Sequence, residues 1–283
     1  MRRRVVLAGV AGIGVAAAVA AGGVRFVDVR SGGGLPSAAR VGFGDLGRLL
    51  GAGGGDKPVV PDAPVGDERL ERRVSAARGR SVDVYTCVPA GHGDGRGLPV
   101  CLVLHGGSKT VRDFPAMGLG RFLTAAVAGG APPFVLAGAT GDRLGWRPSG
   151  GDDPQRMVHD EVPRWCAERG FDTTRIAVWG WSMGGAGALL LAEAFPGFVR
   201  AVAAFSPAVA PGDAVFAGRD RLRGTPVGLW CGRDDPLHPD VRALHRQLPE
   251  APVAGSYTGG RHNFGYWSTV VPAAFAFVAG TLT

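Results

Sequence analysis

The sequence predicts an α/β domain with a mostly parallel central sheet, antiparallel N-terminal strands and helices on both faces. From residue 100 onwards, short apolar runs alternate with helix-forming segments, and such continuous runs are typical of strands buried on both faces. Residues 69–88 instead alternate apolar and polar side chains, which favours half-buried antiparallel strands. Because parallel strands need crossover helices, this order predicts a sheet covered on both sides. We expect the domain to cover residues 67–283.

The predicted parallel strands and helices follow one another at regular intervals. We expect buried strands at residues 100–104, 134–138, 175–178, 199–205, 227–231 and 253–257. We expect helices at residues 120–128, 153–169, 186–195 and 266–279. In sheets of this kind chemistry is concentrated at the carboxyl ends of the strands. The residues just after each strand are therefore the first candidates for a functional site.

The first residues have the features of an export signal, which we assign to residues 1–24. Arg2, Arg3 and Arg4 precede an apolar run without charges, and consecutive arginines also resemble a twin-arginine signal. An uncleaved membrane anchor is the alternative, although the run is mostly Ala and Gly and only weakly apolar. Residues 25–66 are rich in Gly, Ala and Pro and are predicted to be a linker. We expect the protein outside the cell or in the cell envelope, with membrane contact only through an uncleaved N-terminal segment.

Composition and charge argue against a nucleic-acid-binding or metal-dependent protein. The formal net charge is +7, but the cationic residues are spread along the chain without a basic block or interleaved aromatics. The four cysteines, Cys87, Cys101, Cys166 and Cys231, have no metal-ligand spacing, and we expect neither a metal nor a cofactor. Cys87 and Cys101 lie on predicted neighbouring strands and are the better candidate disulfide pair in an exported protein. Buried free thiols are the alternative.

The stretch Gly180-Trp181-Ser182-Met183-Gly184 lies between a predicted strand and a predicted helix. In that context the pattern Gly-x-Ser-x-Gly is typical of a nucleophile elbow. The turn is so sharp that side chains two residues before and after the serine would collide, and glycines remove the collision. The pattern alone is weak in a chain with 48 glycines, so its position after a strand carries the inference. Ser182 is the candidate nucleophile, and the amide of Met183 is a candidate oxyanion donor.

An acid and a histidine follow the last two predicted strands. The chain order is Ser182, an aspartate after the strand at 227–231, and then His262, which is the order of α/β-hydrolases. We assign His262 as the general base and Asp235 as the carboxylate that holds its tautomer. Asp234 is the adjacent alternative. Asp235 is favoured because it stands directly before Pro236, which would keep the loop turning at the strand end.

A glycine loop after the strand at 100–104 is the candidate for the second oxyanion donor. It reads His105-Gly106-Gly107. A tetrahedral intermediate needs two amides that converge on its oxygen, and the loop after this strand normally supplies one of them. We choose Gly107, with Gly106 or Ser108 as alternatives. His105 is predicted to brace the loop.

Taken together, four stretches resemble the putative esterase family of α/β-hydrolases, which includes esterase D, feruloyl esterases and the antigen 85 mycolyltransferases. The stretches are residues 105–107, 180–185, 232–236 and 261–267. The resemblance covers residues 69–282, and its most specific parts are the Trp-Ser-Met-Gly-Gly elbow and the histidine followed by an aromatic run ending in Trp267. It implies an α/β-hydrolase fold and cofactor-free Ser-His-Asp chemistry on carboxylic esters or thioesters, sometimes with acyl transfer to an alcohol.

The resemblance also points to residues near the substrate. The loop at 143–153 is similar to one that lies beside the substrate in this family, and Trp146 on that loop is a candidate substrate contact, with a structural role as the alternative. Trp181, next to the candidate nucleophile, is a second candidate contact. Only residues 206–225 separate the strand after the elbow helix from the strand before Asp235, which leaves room for a short lid at most. An open site suits bulky or polymer-attached acyl groups.

The sequence thus predicts an exported serine hydrolase that cleaves carboxylic esters or thioesters. One alternative is an acyltransferase that moves an acyl group to a sugar or lipid alcohol, as mycolyltransferases do. Another is a catalytically inactive family member that acts as a surface-binding protein. A peptidase is less favoured, because nothing in the sequence resembles a size-selecting domain.

Overall fold

The computed structural model describes residues 57–283, together with the backbone of three short strands nearer the N-terminus. These strands are β1 (Val15–Ala20), β2 (Gly23–Asp28) and β3 (Arg40–Val41). They form a three-stranded antiparallel sheet in the order β1-β2-β3. The predicted export signal and the predicted linker lie mostly outside the described residues, and both stay predictions.

A second sheet has eight strands in the order β11-β10-β9-β8-β6-β7-β5-β4. The strands are β4 (Glu68–Ser75), β5 (Arg80–Cys87), β6 (Pro99–Leu104), β7 (Val135–Ala139), β8 (Asp172–Trp181), β9 (Val202–Phe205), β10 (Val227–Trp230) and β11 (Ala254–Ser256). β4 pairs antiparallel with β5, and β5 antiparallel with β7. All the other pairings are parallel. The predicted mostly parallel sheet with an antiparallel start is confirmed.

Helices cover both faces of this sheet. They are α1 (Leu119–Ala128), α2 at residues 154–168, α3 (Met183–Ala194), α4 (Ala214–Gly218), α5 (His238–Gln247) and α6 (Phe264–Thr281). The middle of α2 is a π-helical turn, Met157–Glu161. Side chains of α1 and α6 belong to one buried apolar cluster, and those of α2 to α5 belong to a second cluster. The two clusters are the two covered faces of the sheet.

The central strand β6 shows why its sequence is continuously apolar. Val100, Leu102 and Leu104 belong to one apolar cluster, while Cys101 and Val103 belong to the other. Successive side chains of a strand point to opposite faces, so a strand covered on both faces needs an apolar residue at every position. The edge strand β4 has no second neighbour, and its residues are half-buried or exposed except for the buried Ser75 at its end.

The candidate disulfide between Cys87 and Cys101 is wrong. β7 lies between β5 and β6 in the sheet, and Leu136 of β7 is paired with Cys87 on one side and with Cys101 on the other. Two strand spacings separate the two cysteines by about 9–10 Å, and a disulfide needs Cα atoms within about 7 Å. All four cysteines are buried free thiols, as in the alternative interpretation.

Residues 59–65 lie against the domain, on the side covered by α1 and α6. The N–H of Val59 donates to Ser268 Oγ at 2.9 Å, and Asp62 forms an ion pair with Arg121 at 3.5 Å. Both partners belong to helices of the same face. Among the helices of the described residues, none has the length and apolarity needed to cross a membrane.

Candidate active site

Ser182 stands at a sharp turn between β8 and α3. Its backbone angles are φ 55° and ψ −122°, a conformation that residues other than glycine rarely adopt. Three backbone hydrogen bonds hold it. The N–H of Ser182 donates to the carbonyl of Phe205 at 2.8 Å, and its carbonyl accepts from the amides of Ala186 at 3.1 Å and Ala208 at 2.9 Å. The strand, the strained serine and the helix form the elbow predicted from the sequence.

The two glycines of the elbow are needed for steric reasons. A Cβ atom on Gly180 would overlap the carbonyl group of Gly184. A Cβ atom on Gly184 would overlap the carbonyl groups of Leu104 and His105. In each case the obstacle is backbone, which cannot rotate away as a side chain could. The collision predicted for residues two before and two after the serine is thus present on both sides.

The structure brings Ser182, His262 and Asp235 into one hydrogen-bonded row. His262 Nε2 lies 2.9 Å from Ser182 Oγ, and His262 Nδ1 lies 2.8 Å from Asp235 Oδ2. Asp235 Oδ1 accepts from the N–H of Leu237 at 2.9 Å. The three residues follow β8, β10 and β11, whose parallel orientation brings their carboxyl ends to one edge of the sheet.

Electrostatics keep Asp235 ionised although it is buried. Burial acts to raise the pKa of Asp235, but the charge and hydrogen bond of His262, the Ser206 hydroxyl and the Leu237 amide outweigh it, and the pKa is lowered. An ionised carboxylate accepts only, so His262 donates its Nδ1–H to Asp235. In the neutral imidazole, Nε2 is then free to accept the proton of Ser182.

Asp234, the adjacent alternative, does not face His262. Its carboxylate is exposed and accepts from the N–H of Gly260 at 3.1 Å, while its own N–H donates to the carbonyl of Gly260 at 3.0 Å. Asp234 therefore connects the loop after β10 to the loop after β11. The structure places Asp235, rather than Asp234, against the imidazole.

His105 braces the glycine loop beside Ser182. Its Nε2 accepts from the N–H of Gly141 at 2.9 Å, so the proton of the ring is on Nδ1, which donates to the carbonyl of Gly106 at 2.9 Å. Burial lowers the pKa of His105 to about 4, and the ring is neutral. The N–H of Gly107 belongs to the same planar peptide unit as the Gly106 carbonyl and points in the opposite direction, away from the His105 ring.

The two candidate oxyanion donors lie on segments next to Ser182. A Cβ atom built on Gly106 would lie 3.4 Å from Ser182 Cβ, so the backbone of this loop is in close contact with the candidate nucleophile. Met183 begins α3, where the first amides have no partner inside the helix. The assignment of the Met183 and Gly107 amides as oxyanion donors stays a prediction.

Trp146 and Trp181, the candidate substrate contacts, are both buried, and neither indole reaches the surface. The Trp146 Nε1–H donates to the carbonyl of His105 at 3.1 Å, and its ring lies against His105 at 5.0 Å between centroids. Trp181 packs against Phe114 at 5.7 Å. The assignment of both as substrate contacts is corrected. They are packing residues, because Trp146 turns its side chain inward from the loop at 140–152 and Trp181 is the buried last residue of β8.

Sequence reasoning assigned no role to three residues that organise the site. Arg78 is buried and holds the loop at 140–152 through Asp142, Asp152 and the carbonyl of Thr140. Trp267 donates its Nε1–H to Ser206 Oγ at 3.0 Å and packs edge-on against His262 at 4.9 Å. The position of Ser206 directly after a strand was the one signal that could have identified it.

Ser182 is partly exposed, and the connection between β9 and β10 forms no cap domain over it. Within the described chain this connection holds only α4 and the 3₁₀ turn Arg219–Leu222. No group of three or more His, Cys, Asp or Glu side chains in the described part of the chain is placed to hold a metal ion.

Comparisons with known proteins agree with this architecture. The model of the Esterase family, described as putative esterase, matches residues 75–247. A comparison with curated protein sequences finds no match.

Solved structures share the fold at low sequence identity. A ferulic acid esterase gives a TM-score of 0.70 at 16% identity and covers 78% of this chain and 100% of its own. An S-formylglutathione hydrolase from Agrobacterium tumefaciens gives 0.61 at 18% identity, with 80% and 99% covered. MPT51 of Mycobacterium tuberculosis gives 0.57 at 16% identity, with 76% and 99% covered. The α/β-hydrolase fold expected from the sequence is confirmed.

Proposed function

Because the chain belongs to the putative esterase family and is a serine esterase, we propose that it cleaves carboxylic esters or thioesters through an acyl-enzyme on Ser182. The observation that carries this proposal is the hydrogen-bonded row of Ser182, His262 and Asp235 at a strained elbow. A hydroxyl is a poor nucleophile at neutral pH, and an imidazole within 2.9 Å can take its proton during attack.

In the first half of the proposed reaction, Ser182 Oγ attacks the carbonyl carbon of the ester while its proton moves to His262 Nε2. Asp235 stabilises the resulting imidazolium through its bond to Nδ1. The carbonyl oxygen becomes an oxyanion, for which we propose the amides of Met183 and Gly107 as donors. The ester C–O bond then breaks and His262 returns the proton to the leaving alcohol.

In the second half, water attacks the acyl-enzyme by the same route. His262 accepts a proton from the water. The bond between the acyl carbon and Ser182 Oγ then breaks as His262 returns a proton to that oxygen. The acid product leaves and Ser182 is restored. None of these steps needs a group beyond the side chains and backbone amides named here.

Hydrolysis of a p-nitrophenyl ester by wild type and by Ser182→Ala tests the proposal. We expect the variant to lose at least about a thousandfold in kcat, as nucleophile removal does in serine hydrolases. The matched control is Ser81→Ala, which removes an exposed hydroxyl on β5 and is expected to leave the rate unchanged. A fluorophosphonate should label wild type at Ser182. Undiminished hydrolysis by Ser182→Ala, or labelling at a different residue, would contradict the assignment.

Acyl transfer is the second candidate reaction. It is favoured by the partly exposed Ser182 and by the absence of a cap in the described connection between β9 and β10, since both leave room for an acceptor alcohol. If transfer is the main reaction, adding a sugar or long-chain alcohol should give more transesterified product than free acid. If free acid is the only product, the main reaction is hydrolysis and acyl transfer is contradicted.

The acyl group and the location of the protein are further parts of the proposal. The open site suits bulky acyl groups linked to lipids, sugars or polymers, and rates on esters of increasing chain length and on feruloyl esters would identify the preferred class.

We propose export through residues 1–24. Expression in a bacterial host, fractionation and N-terminal sequencing of the mature chain test this proposal, and an intact N-terminus on cytoplasmic protein would contradict it. If the purified wild type hydrolyses none of these esters, an inactive surface-binding protein is favoured instead.

A further inference from the structure

Ser206 completes a series of polar residues along the edge of the sheet. β8, β9, β10 and β11 are neighbours, and Ser182, Ser206, Asp235 and His262 follow them in that order. Three of these residues form the hydrogen-bonded row. Ser206 occupies the intervening position, directly after β9 and between the strand of the nucleophile and the strand of the acid.

The backbone holds Ser206 in an unusual conformation. Its φ is 40°, in the left-handed region that favours glycine, and its side chain is fully buried. Its N–H donates to the carbonyl of Trp230, the last residue of β10, at 2.7 Å. A strained, buried serine at a strand end is the kind of position that functional sites retain.

The direction of the Ser206 hydroxyl follows from its partners. An indole N–H can only donate, so Ser206 Oγ accepts from Trp267 at 3.0 Å and must give its own proton to another group. The hydroxyl lies beside the Cys231 thiol and the Asp235 carboxylate. A neutral thiol is a weak acceptor and an ionised carboxylate is a strong one, so the proton goes to Asp235.

Two donors reach the buried carboxylate of Asp235 at hydrogen-bond distance, the His262 Nδ1–H at 2.8 Å and the Leu237 amide at 2.9 Å. The Ser206 hydroxyl lies beside the same carboxylate and acts to lower the pKa of Asp235. Tyr266 and Cys231 are the other titratable groups that face it. Both have a raised pKa because they are buried, and both are neutral near pH 7. Ser206 is thus a neutral group that favours the charged form of Asp235.

We propose that Ser206 is a positioning residue for the reaction, which holds Asp235 as an aligned carboxylate behind His262, and that Trp267 fixes the direction of its hydroxyl. This inference rests on the proposed function of Ser182, His262 and Asp235. Trp267 also contacts the His262 ring, so one indole orients both the imidazole and the group that supports its carboxylate.

The first test is the pH dependence of kcat/KM in Ser206→Ala. Without this donor, the Asp235–His262 pair takes up a proton more easily, so the acid limb of the profile should move to higher pH by about half a unit to one unit. The plateau kcat should fall by about tenfold, with KM little changed. Trp267→Phe keeps an aromatic ring but loses the N–H, and it should shift the limb in the same direction by less.

Two further variants separate positioning from folding. Ser206→Gly also loses the hydroxyl but relieves the positive φ, so it should fold more stably than Ser206→Ala and still show the shifted limb. Ser268→Ala removes another buried hydroxyl, one that contacts Val59 and Gly265, and should lower stability without moving the limb. An unshifted limb in a folded Ser206→Gly would overturn the proposal.

A readout without turnover keeps this proposal distinct from the proposed function. In the Ser182→Ala background, the pH midpoint of the His262 imidazole resonances can be followed by NMR. Adding Ser206→Ala should raise that midpoint by the same amount as the shift of the limb. An unchanged midpoint overturns the positioning role even if Ser182 is the nucleophile. Full hydrolysis by Ser182→Ala overturns the proposed function whatever the midpoint does.

Discussion

Two glycines allow Ser182 to occupy a backbone conformation that a serine in an ordinary turn would avoid. The space they leave open is filled by backbone carbonyl groups, so no rotamer change elsewhere could accommodate a methyl group at either position. The same residue-scale logic applies at Asp235, where one buried oxygen contacts the imidazole while the adjacent Asp234 contacts only backbone. Single atoms at these positions decide whether the row of three side chains can form.

Gly184→Ala should be strongly destabilising. The added Cβ would overlap the carbonyl groups of Leu104 and His105, which forces the elbow and β6 apart. We expect the free energy of unfolding to fall by about 2–4 kcal/mol, measured by urea denaturation, and esterase activity to be lost. The control is Gly280→Ala in the last turn of α6, where the described residues place nothing within 4 Å of the added Cβ and the change should be neutral or slightly stabilising. Equal stability of the two variants would contradict the steric explanation.

Asp235→Asn should reduce kcat by about 10³- to 10⁴-fold on a p-nitrophenyl ester, because an amide can donate to Nδ1 and stabilise the wrong tautomer of His262. Asp234→Asn is the matched control and should change kcat by less than about threefold, since its carboxylate only bonds to the amide of Gly260. A larger loss in Asp234→Asn than in Asp235→Asn would reverse the assignment of the acid.

At the scale of elements, the loop at 140–152 and the loop at 105–107 support each other. His105 accepts from Gly141 and receives the Trp146 indole on its carbonyl, so the glycine loop beside Ser182 is held from the side opposite the nucleophile. Arg78 fastens the outer part of the longer loop. The site is therefore built on loops, but buried hydrogen bonds hold those loops to the sheet.

Trp146→Phe distinguishes a brace from a substrate contact. The phenyl ring keeps most of the packing but loses the hydrogen bond to the His105 carbonyl. We expect kcat to fall by about three- to tenfold while KM changes little, because the variant disturbs the loop of Gly107, the proposed oxyanion donor, rather than a surface that binds substrate. Steady-state kinetics on esters of two chain lengths measure both constants. A rise in KM that depends on the length of the acyl chain would show that Trp146 contacts the substrate.

The contact between α3 and α4 buries Glu193, which gives a pH prediction. Burial and the nearby Asp213 raise the pKa of Glu193 to about 8, although Arg221 and Arg147 act in the opposite direction. One of its carboxyl oxygens is buried and has no hydrogen-bond partner among the described residues. The folded state therefore holds a proton that the unfolded state releases near the ordinary pKa of 4.5, and stability contributed by this group is lost as the pH rises from about 4.5 to about 8.

Glu193→Gln removes this titration and keeps the shape of the side chain. Relative to wild type, the variant should gain about 1–3 kcal/mol of stability at pH 8 and much less at pH 5. Urea unfolding at both pH values measures the difference. A stability difference that is the same at pH 5 and pH 8 would show that Glu193 does not titrate in this window.

At the scale of the whole molecule, the sheet order decides which groups meet. β7 enters between β5 and β6, which separates Cys87 from Cys101, and the parallel run from β8 to β11 brings four polar residues to one edge. Helices on both faces bury the strands between them, and all four thiols lie in that core.

The midpoint of thermal unfolding should not change when a reductant is added, because the described domain depends on packing and not on a disulfide. Thiol titration should detect no reactive cysteine in the native protein and four in denaturant, since burial raises the pKa of every cysteine. A transition that moves to lower temperature in reductant would contradict the free-thiol assignment.

Much of the fold could be predicted because its signals are local. The strands at 100–104 and 227–231 were found within a residue or two, since a strand buried on both faces is apolar throughout. The predicted start of α6 is two residues late, because the prediction does not use Asn263, whose side chain caps the helix. Strand order is not local, and the insertion of β7 between β5 and β6 has no signature in the sequence of either strand.

By itself, the sequence determined the class of sheet, the strand–turn–helix at Ser182 and the order of serine, acid and histidine, because apolar periodicity and turn chemistry act between near neighbours. Only the tertiary structure decided that Asp235 faces His262, that Trp146 and Trp181 are buried, and that Trp267 donates to Ser206 beside the acid. These contacts join residues far apart in the chain, and packing of the whole sheet brings them together. Burial and partner geometry, which set the charge of Asp235, exist only after that packing.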